Sequence, residues 1–509
     1  MDHIPFELST QEMRRLMDDV SGLVLEHFQQ RDSLPVIQIP NPDTLRGMLH
    51  EDIPWQPAGW EAIRQTLKDH VLPNKIDSAH RRFWAYIGGP NNLIATLADM
   101  LASSHNIFTG TWEEAAGATE IELTTINWLR QLFNLPATTG GCFVSGGSTA
   151  NLTGLTVARD YFLRGLDDTD RQHVQQRLTA YYSDQTHHSV ENSLLRLGFG
   201  RKQLRVIPTL GDYRIDVEEL VEQVQKDQRK GCIPAILVAN VGATNTGAID
   251  PLYRIVRMRD EFGMWLHADA AYGGAAILSD RARLMMDGID YVDSLTVDPH
   301  KWWFMPYEMG CILVRDRSLM VETFRHEADY LQNELESGEH AVNLQDFSHQ
   351  QTRNFKALRL WMSIKYFGLS EFRLAVNHGI RMAEAAQQYV TECCPRLQVV
   401  TPAQIGVLNI RYYEPAKSDS ELNEINRQIY RAMIVDGFAM IHNTTLKQDV
   451  TAIRFCIINP RTTVDDLCET LRRIERFGSE IAQHSCHAAV MVAAYTDNDR
   501  VTNRFQKQS

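Results

Sequence analysis

The run Asp298-Pro299-His300-Lys301-Trp302-Trp303 lies between two apolar, β-branched stretches: Ser294-Leu295-Thr296-Val297 before it and Gly310-Cys311-Ile312-Leu313-Val314 after it. Both stretches read as buried strands, so Lys301 is predicted to sit in the turn joining them, flanked by two indoles. Desolvation disfavours an ammonium, and a lysine buried in such a turn is expected to have a lowered pKa. Its neutral amine can then condense with an aldehyde as a Schiff base. A surface lysine with its stem along Trp302 would carry the same local sequence. The choice between the two rests on the residues upstream.

From about 90 to 315, strand-like runs alternate with helical stretches. The strand candidates are Cys142–Ser145, Leu204–Ile207, Ala235–Val241, Met264–Ala268, Ser294–Val297 and Gly310–Val314. This alternation predicts an α/β fold with a mainly parallel sheet between helices. Ligands of such sheets gather beyond the carboxyl ends of the strands.

The flanks read differently. Ser9 and Glu12 can form a capping box ahead of a helix over about 9–29. Pro35, Pro40, Pro42, Pro54 and Pro57 mark residues 31–57 as a loop-rich strap, and a further helix is expected over 60–72. Residues 1–89 therefore form a helical, strandless N-terminal segment expected to pack on a partner, either the main domain or a second subunit. Residues 90–385 are assigned to the large domain. Within it, the polar stretch 326–350 reads as a lid or a disordered segment, and Asn354–Phe367 reads as a helix stopped by Gly368. Residues 386–480 hold strand-like runs at Gly406–Tyr412 and Ala452–Ile457 and a helix at Val464–Arg476, enough for a small α+β domain. Residues 481–509 read as a tail.

The totals are those of a globular protein of two or three domains: 509 residues, 44% hydrophobic and 23% charged. A net charge of −13 without a basic block argues against a nucleic-acid partner. Eight scattered cysteines with no C-x-x-C pair suit free thiols in a reducing compartment, and no metal site is expected. The start of the chain lacks a signal-peptide pattern. The longest late apolar run, Ala488–Tyr495, is too short to cross a bilayer. A cytoplasmic location without membrane association is expected.

Four further stretches carry chemistry. Ser145-Gly146-Gly147-Ser148-Thr149-Ala150-Asn151 follows a strand and opens a helix, where free N–H groups bind anions. Ser148 and Thr149 can add hydroxyl donors; a plain N-capped turn would read the same way. His267-Ala268-Asp269-Ala270-Ala271-Tyr272-Gly273-Gly274 puts Asp269 at a strand end. There a carboxylate can hold a pyridinium N–H, and Ala271 is small enough to let a flat ring lie close. Ser183-Asp184-Gln185-Thr186-His187-His188-Ser189 is placed between helices and offers an imidazole for stacking. Ala243-Thr244-Asn245-Thr246-Gly247 offers a hydroxyl after another strand.

In combination, the motifs S-D-Q-T-H, H-A-D-A-A-Y-G-G and D-P-H-K-W resemble those of the group II pyridoxal-phosphate-dependent amino acid decarboxylases, the family of the aromatic-L-amino-acid decarboxylases. The resemblance covers roughly residues 75–480. It implies the fold type I architecture of pyridoxal-phosphate-dependent transferases, a homodimer and a bound pyridoxal 5'-phosphate. It implies that Lys301 holds the cofactor as an internal aldimine, that Asp269 pairs with the ring nitrogen, and that His187 rather than His188 stacks on the ring. Thr244 and Ala271 would contact the ring. Gly147, Ser148 and Thr149 would bind the phosphate, with His300 assisting. Asp298 stands where the family often has Asn, and a carboxylate beside a phosphate must turn away or be bridged by a donor. Tyr86, Phe108 and Trp112 match substrate-pocket positions, with Phe108 reaching across the dimer. Gly88-Gly89 replaces a bulkier pair, which leaves the pocket's width open.

The implied reaction is decarboxylation of an L-amino acid, with an aromatic side chain favoured, to the amine and CO₂. The family's loop tyrosine, which reprotonates the intermediate, maps near Leu344, and Tyr330 lies well upstream, so another donor, such as His187 or an ordered water, would deliver that proton. An aldehyde synthase, which couples decarboxylation to oxidative deamination, is the alternative. A non-catalytic binding protein is a third, disfavoured by the presence of both Lys301 and Asp269.

Overall fold

The computed structural model describes residues 6–325 and 341–484. Its large sheet contains β1 (Gly140–Val144), β2 (Leu178–Ser183), β3 (Leu204–Ile207), β4 (Ile233–Asn240), β5 (Trp265–Asp269), β6 (Ser294–Val297) and β7 (Gly310–Val314). Their spatial order is β1-β7-β6-β5-β4-β2-β3. From β3 to β6 every pairing is parallel, while β7 runs antiparallel to both β6 and β1. Helices cover both faces, so the strands are apolar on both sides rather than alternating. In β4, Leu237 and Ala239 join one core layer and Ile236 and Val238 the other, as a two-residue repeat requires.

The second sheet is antiparallel, in the order β10-β11-β9-β8, from β8 (Leu397–Gln404), β9 (Val407–Tyr412), β10 (His442–Leu446) and β11 (Val450–Cys456). The helix Leu369–Cys393 joins the two layers. Phe372 and Val376 on its first half enter the core of the large sheet. Ala383, Ala386 and Val390 on its second half enter the core of the small one.

Several sequence expectations change. The strand β2, Leu-Thr-Ala-Tyr-Tyr-Ser, has no Val or Ile to announce it. It is a strand because β3 and β4 pair with it on either side, and it places His187 after a strand rather than between helices. The strap contains a helix, Pro42–Leu49, started by Pro42 and by Asn41, whose side chain accepts the Asp43 and Thr44 N–H groups. The helix Thr10–Gln30 is capped by Ser9 as expected, yet it has no buried residue, and its apolar stripe includes Met17 at 53% exposure. The last described helix, Val464–His484, runs past Arg476. Within the expected lid, residues 326–340, including Tyr330, lie outside the described residues. Leu344–Phe347 form a 3-10 turn whose Leu344 and Phe347 are buried in the core, so this part is packing rather than lid.

One buried ion pair ties the layers beside the site. Arg353 Nη2 donates to Glu122 Oε1, and both side chains are nearly inaccessible. Glu122 also accepts the Phe143 N–H at 3.0 Å, and Arg353 reaches the carbonyls of Phe143 and Thr109 at 2.9 and 3.2 Å. The pair thereby joins the helix Ala116–Leu132, β1 and the segment that follows Phe108. Loss of either partner would strand a buried charge.

Burial of His80 contributes to the loss of stability in acid. His80 is fully buried, its Nδ1 accepting the Arg82 N–H at 2.9 Å. Burial, helped by the Arg82 guanidinium, pushes its pKa down from 6.5 to about 4. The folded state thus binds this proton less readily than the unfolded chain. The stabilisation is complete above pH 6.5 and is lost as pH falls toward 4, by on the order of 2–3 kcal/mol. Urea midpoints measured between neutral and acid pH should fall accordingly. His80→Asn, whose amide oxygen can still accept from Arg82, should show a shallower decline.

Candidate active site

The site begins where β6 ends. The chain turns at Asp298, whose N–H donates to Ala271 O at 3.2 Å, and Lys301 N–H closes the turn onto Asp298 O at 3.0 Å. Trp302 and Trp303 are buried, and Trp302 stacks on Tyr272 with ring centroids 5.4 Å apart. The indoles anchor the turn in the core, so no stem of a surface lysine lies on them. Gly89 packs against the same turn: a Cβ there would fall 1.8 Å from Lys301 O. At Gly88 a Cβ would fall 2.8 Å from Tyr307 Oη. Gly89 is required by close packing against the Lys301 carbonyl, whereas the neighbour of Gly88 is the end of a side chain.

Lys301 departs from the electrostatic expectation. Burial alone would lower its pKa. The Asp298 carboxylate, with Oδ2 at 3.1 Å from Nζ, and the Asp269 carboxylate outweigh that effect and raise it. Without a bound aldehyde, the side chain is an ammonium held by Asp298. This also accounts for Asp298, which is 1% exposed: one of its oxygens is bridged by Lys301, with His300 Nε2 3.8 Å away. Its Oδ1 is buried without a partner among the described residues.

Opposite the lysine, the helix Gly147–Leu163 starts with no side-chain cap. The Ala150 N–H is bonded to Gly146 O at 2.9 Å, which leaves the amides of Gly147, Ser148 and Thr149 as the unsatisfied donors of the first turn. Ser145 and Thr149 hydroxyls pair at 2.8 Å. A Cβ on Gly147 would stand 2.6 Å from Asp298 Oδ2 and 3.2 Å from Ala271 Cβ, so the glycine keeps the cradle open.

Asp269 closes β5. Its Oδ2 accepts from Asn151 Nδ2 at 2.9 Å and its Oδ1 from the Ala271 N–H at 3.1 Å. His187 caps the helix His188–Arg196, with Nδ1 2.8 Å from Ser189 Oγ. Burial lowers the pKa of His187, and burial likewise lowers that of His300, so both rings are neutral at neutral pH.

These side chains share one cavity of about 340 Å³. Gly147, Ser148, Thr149, His187, Thr244, Asp269, Ala271, Asp298, His300 and Lys301, all singled out in the sequence, line it. Tyr86, Phe108 and Trp112 do not line it within one chain. Tyr86 is 46% exposed and packs its ring on His442, with centroids 4.8 Å apart. Phe108 pairs with Asn354 in an isolated bridge, and Trp112 Nε1 donates to Glu120 at 2.9 Å. Sequence reasoning missed Asn151, Ser189, Asn240 and Glu308, which also line the cavity. Asn151 was traceable: it lies four residues after Gly147, on the same helix face as the cradle.

Comparison with known proteins agrees with this geometry. Residues 42–412 match the family model of the pyridoxal-dependent decarboxylase conserved domain. The chain is 39% identical over 478 residues to the aromatic-L-amino-acid decarboxylase of Bacillus atrophaeus, covering 94% of this chain and 97% of that protein. It is 27% identical to the phenylacetaldehyde synthase of Petunia hybrida, covering 89% and 92% of the two chains. The crystal structure of the Oryza sativa TDC with PLP and tryptamine superposes with a TM-score of 0.88 at 26% identity, covering 94% of this chain and 99% of that one. The chain belongs to the pyridoxal-dependent decarboxylase family. It is a decarboxylase whose cofactor is pyridoxal phosphate.

The residues present fit that cofactor. The uncapped helix start supplies donors for a phosphate, the buried acceptor Asp269 suits a ring N–H, and among the described residues the only lysine lining the cavity is Lys301. No helix among the described residues is long and apolar enough to cross a membrane.

Proposed function

We propose that this chain decarboxylates an aromatic L-amino acid to the corresponding amine and CO₂, acting as a cytoplasmic homodimer. The observation that carries the reading is Lys301 and Asp269 facing one cavity beneath an uncapped helix terminus. The name of the Bacillus atrophaeus relative supports the aromatic substrate. The exposed apolar stripe of the helix Thr10–Gln30 supports an N-terminal segment, residues 1–89, that packs on a partner. The large domain would then span 90–385, the small one 386–480 and the tail 481–509.

Bound pyridoxal phosphate supplies the electron sink for the pair released as the substrate's carboxylate leaves as CO₂. The protein's residues do the rest. Lys301 Nζ would bind the cofactor's aldehyde carbon and yield it to the substrate amine. Asp269 would accept the ring N–H and keep that nitrogen protonated. The amides of Gly147–Thr149 and the Ser148 hydroxyl would hold the phosphate, with His300 beside them. The neutral His187 ring would stack on the cofactor, while Thr244 and Ala271 border the ring. Tyr86, Phe108 and Trp112 would serve the substrate side, with Phe108 contributed across the dimer.

Asp269→Asn should lower turnover on the order of 100-fold, as loss of one preorganised electrostatic partner does. Near-normal steady-state kinetics in this variant would sink the assignment.

Asp298→Asn should speed cofactor uptake, because it removes the carboxylate that keeps Lys301 protonated. At neutral pH the neutral-amine fraction rises about tenfold for each unit by which its pKa falls. Stopped-flow absorbance after mixing cofactor-free protein with pyridoxal phosphate reads this directly, and an unchanged or slower rate would contradict the ion-pair account.

The fate of the substrate tests the reaction itself. The position where the family's loop tyrosine was sought, Leu344, is buried and has no proton to give. Assaying CO₂, amine, ammonia and peroxide together on a panel of aromatic amino acids should give amine equal to CO₂. Ammonia and peroxide in place of amine would identify an aldehyde synthase instead.

A further inference from the structure

A line of buried polar contacts runs behind the cavity wall. Trp265 Nε1 donates to Ser294 Oγ at 2.8 Å. Ser294 Oγ lies 2.8 Å from His267 Nδ1, and His267 Nε2 lies 3.0 Å from Asn151 Oδ1. Asn151 Nδ2 reaches both Asp269 Oδ2 at 2.9 Å and Ser189 Oγ at 3.0 Å. Ser189 Oγ lies 2.8 Å from His187 Nδ1. Trp265, Ser294, His267, Asn151 and Ser189 are all at most 5% exposed.

One end of the line has no freedom, because an indole N–H can only donate. Ser294 Oγ accepts that proton and still has both a proton and a lone pair to offer His267 Nδ1, so the direction is decided at the other end: Asp269 Oδ2 accepts from Asn151 Nδ2, which turns Asn151 Oδ1 toward His267 Nε2 and makes Nε2 the donor. Burial pushes the His267 pKa down to about 4, against the opposing pull of Asp269, so the ring is neutral and its one proton sits on Nε2. That proton goes to Asn151 Oδ1. With Oδ1 so placed, the two Asn151 N–H protons point to Asp269 and Ser189. Ser189 Oγ accepts one of them and keeps its own proton to offer His187 Nδ1. The Ser189 backbone N–H, 3.2 Å from the same Nδ1, independently marks that atom as an acceptor.

The fold makes room for the central ring. Gly154 lies in the interior of the helix Gly147–Leu163, where glycine costs about 1 kcal/mol relative to alanine. A Cβ there would stand 3.0 Å from His267 Cε1, 3.1 Å from Nδ1 and 2.9 Å from Ile312 Cδ1.

We propose that Trp265, Ser294, His267, Asn151 and Ser189 form a one-way hydrogen-bond relay that positions the site, holding Asp269 as an acceptor-only carboxylate and locking His187 as the Nε2–H tautomer. His187 Nε2 has no partner among the described residues and is thus left as a donor. Trp265, Ser294 and His267 lie outside the cavity lining and act through Asp269 and His187, while Asn151 and Ser189 line the cavity themselves. The polarity of the relay stands on this chain alone, while its purpose at Asp269 rests on the cofactor reading above.

The test uses ¹⁵N-histidine-labelled full-length protein, first free of cofactor. Nitrogen chemical shifts should report Nε2–H for both His267 and His187, each signal assigned by its loss on substitution. An Nδ1–H form of either ring in the wild-type protein overturns the relay. In the cofactor-loaded protein, His267→Leu leaves Asn151 Oδ1 unpaired. Affinity for pyridoxal phosphate should fall about tenfold or more, and the ratio of long- to short-wavelength cofactor absorbance should change. His267→Gln keeps a donor near the Nε2 position and should restore most of both. A His267→Leu protein with wild-type affinity and absorbance, or a His267→Gln protein that folds but behaves like His267→Leu, overturns the proposal. If His267→Leu does not fold, the wild-type tautomers and the glutamine variant still decide. Failure of the wild-type protein to bind pyridoxal phosphate would refute the cofactor reading and leave the tautomers to be read separately.

Discussion

Parallel pairing of β4, β5 and β6 in register is the constraint on which the site depends. Asn240 lies beside Asp269, and Asp269 lies beside Thr296, two residues before Asp298. Because the strands share one direction, their carboxyl ends form a single edge, and side chains distant in sequence arrive there together. The uncapped helix Gly147–Leu163 crosses the same edge with its amides unsatisfied. Altering the register by one residue would turn Asp269 into the opposite core layer.

Once these groups are crowded together, neighbouring charges set the protonation of Lys301, while burial sets that of the histidines. Lys301 on its own, desolvated, would lose its proton. With Asp298 at 3.1 Å and Asp269 nearby it keeps it. The histidines show the opposite balance. His187 feels Asp269, Asp298 and Lys301, and His300 feels Asp298, Glu308 and Lys301; for both, desolvation dominates, leaving neutral rings. The cavity therefore holds a cation–carboxylate pair next to neutral imidazoles.

Much of this was legible in advance, for identifiable reasons. The strands on either side of Lys301 are apolar and β-branched because helices cover both faces of the sheet, and that composition is a local signal. The glycine run at 146–147 and the carboxylate at 269 likewise announce themselves by following such strands. What escaped was of two kinds. β2 carries Thr-Ala-Tyr-Tyr and is a strand only because both neighbours pair with it. Leu344 and Phe347 sit in a polar stretch of sequence that reads as lid, yet they bury against the helix-covered face beside β1.

The sequence by itself determined the fold class and the motifs, because strand composition and strand-end chemistry are written over a few consecutive positions, and the resemblance those motifs carry singled out ten cavity residues. Only the tertiary structure decided the charge on Lys301, the reason for Gly89, and the bonds that run from Trp265 to His187. Each of these depends on atoms brought within a few ångströms from segments far apart in the chain: Gly89 against the Lys301 carbonyl, and Asn151 between His267 and Asp269. Hydrogen bonds and close contacts act over that short range, and no local pattern of residues encodes which distant partner will fill it.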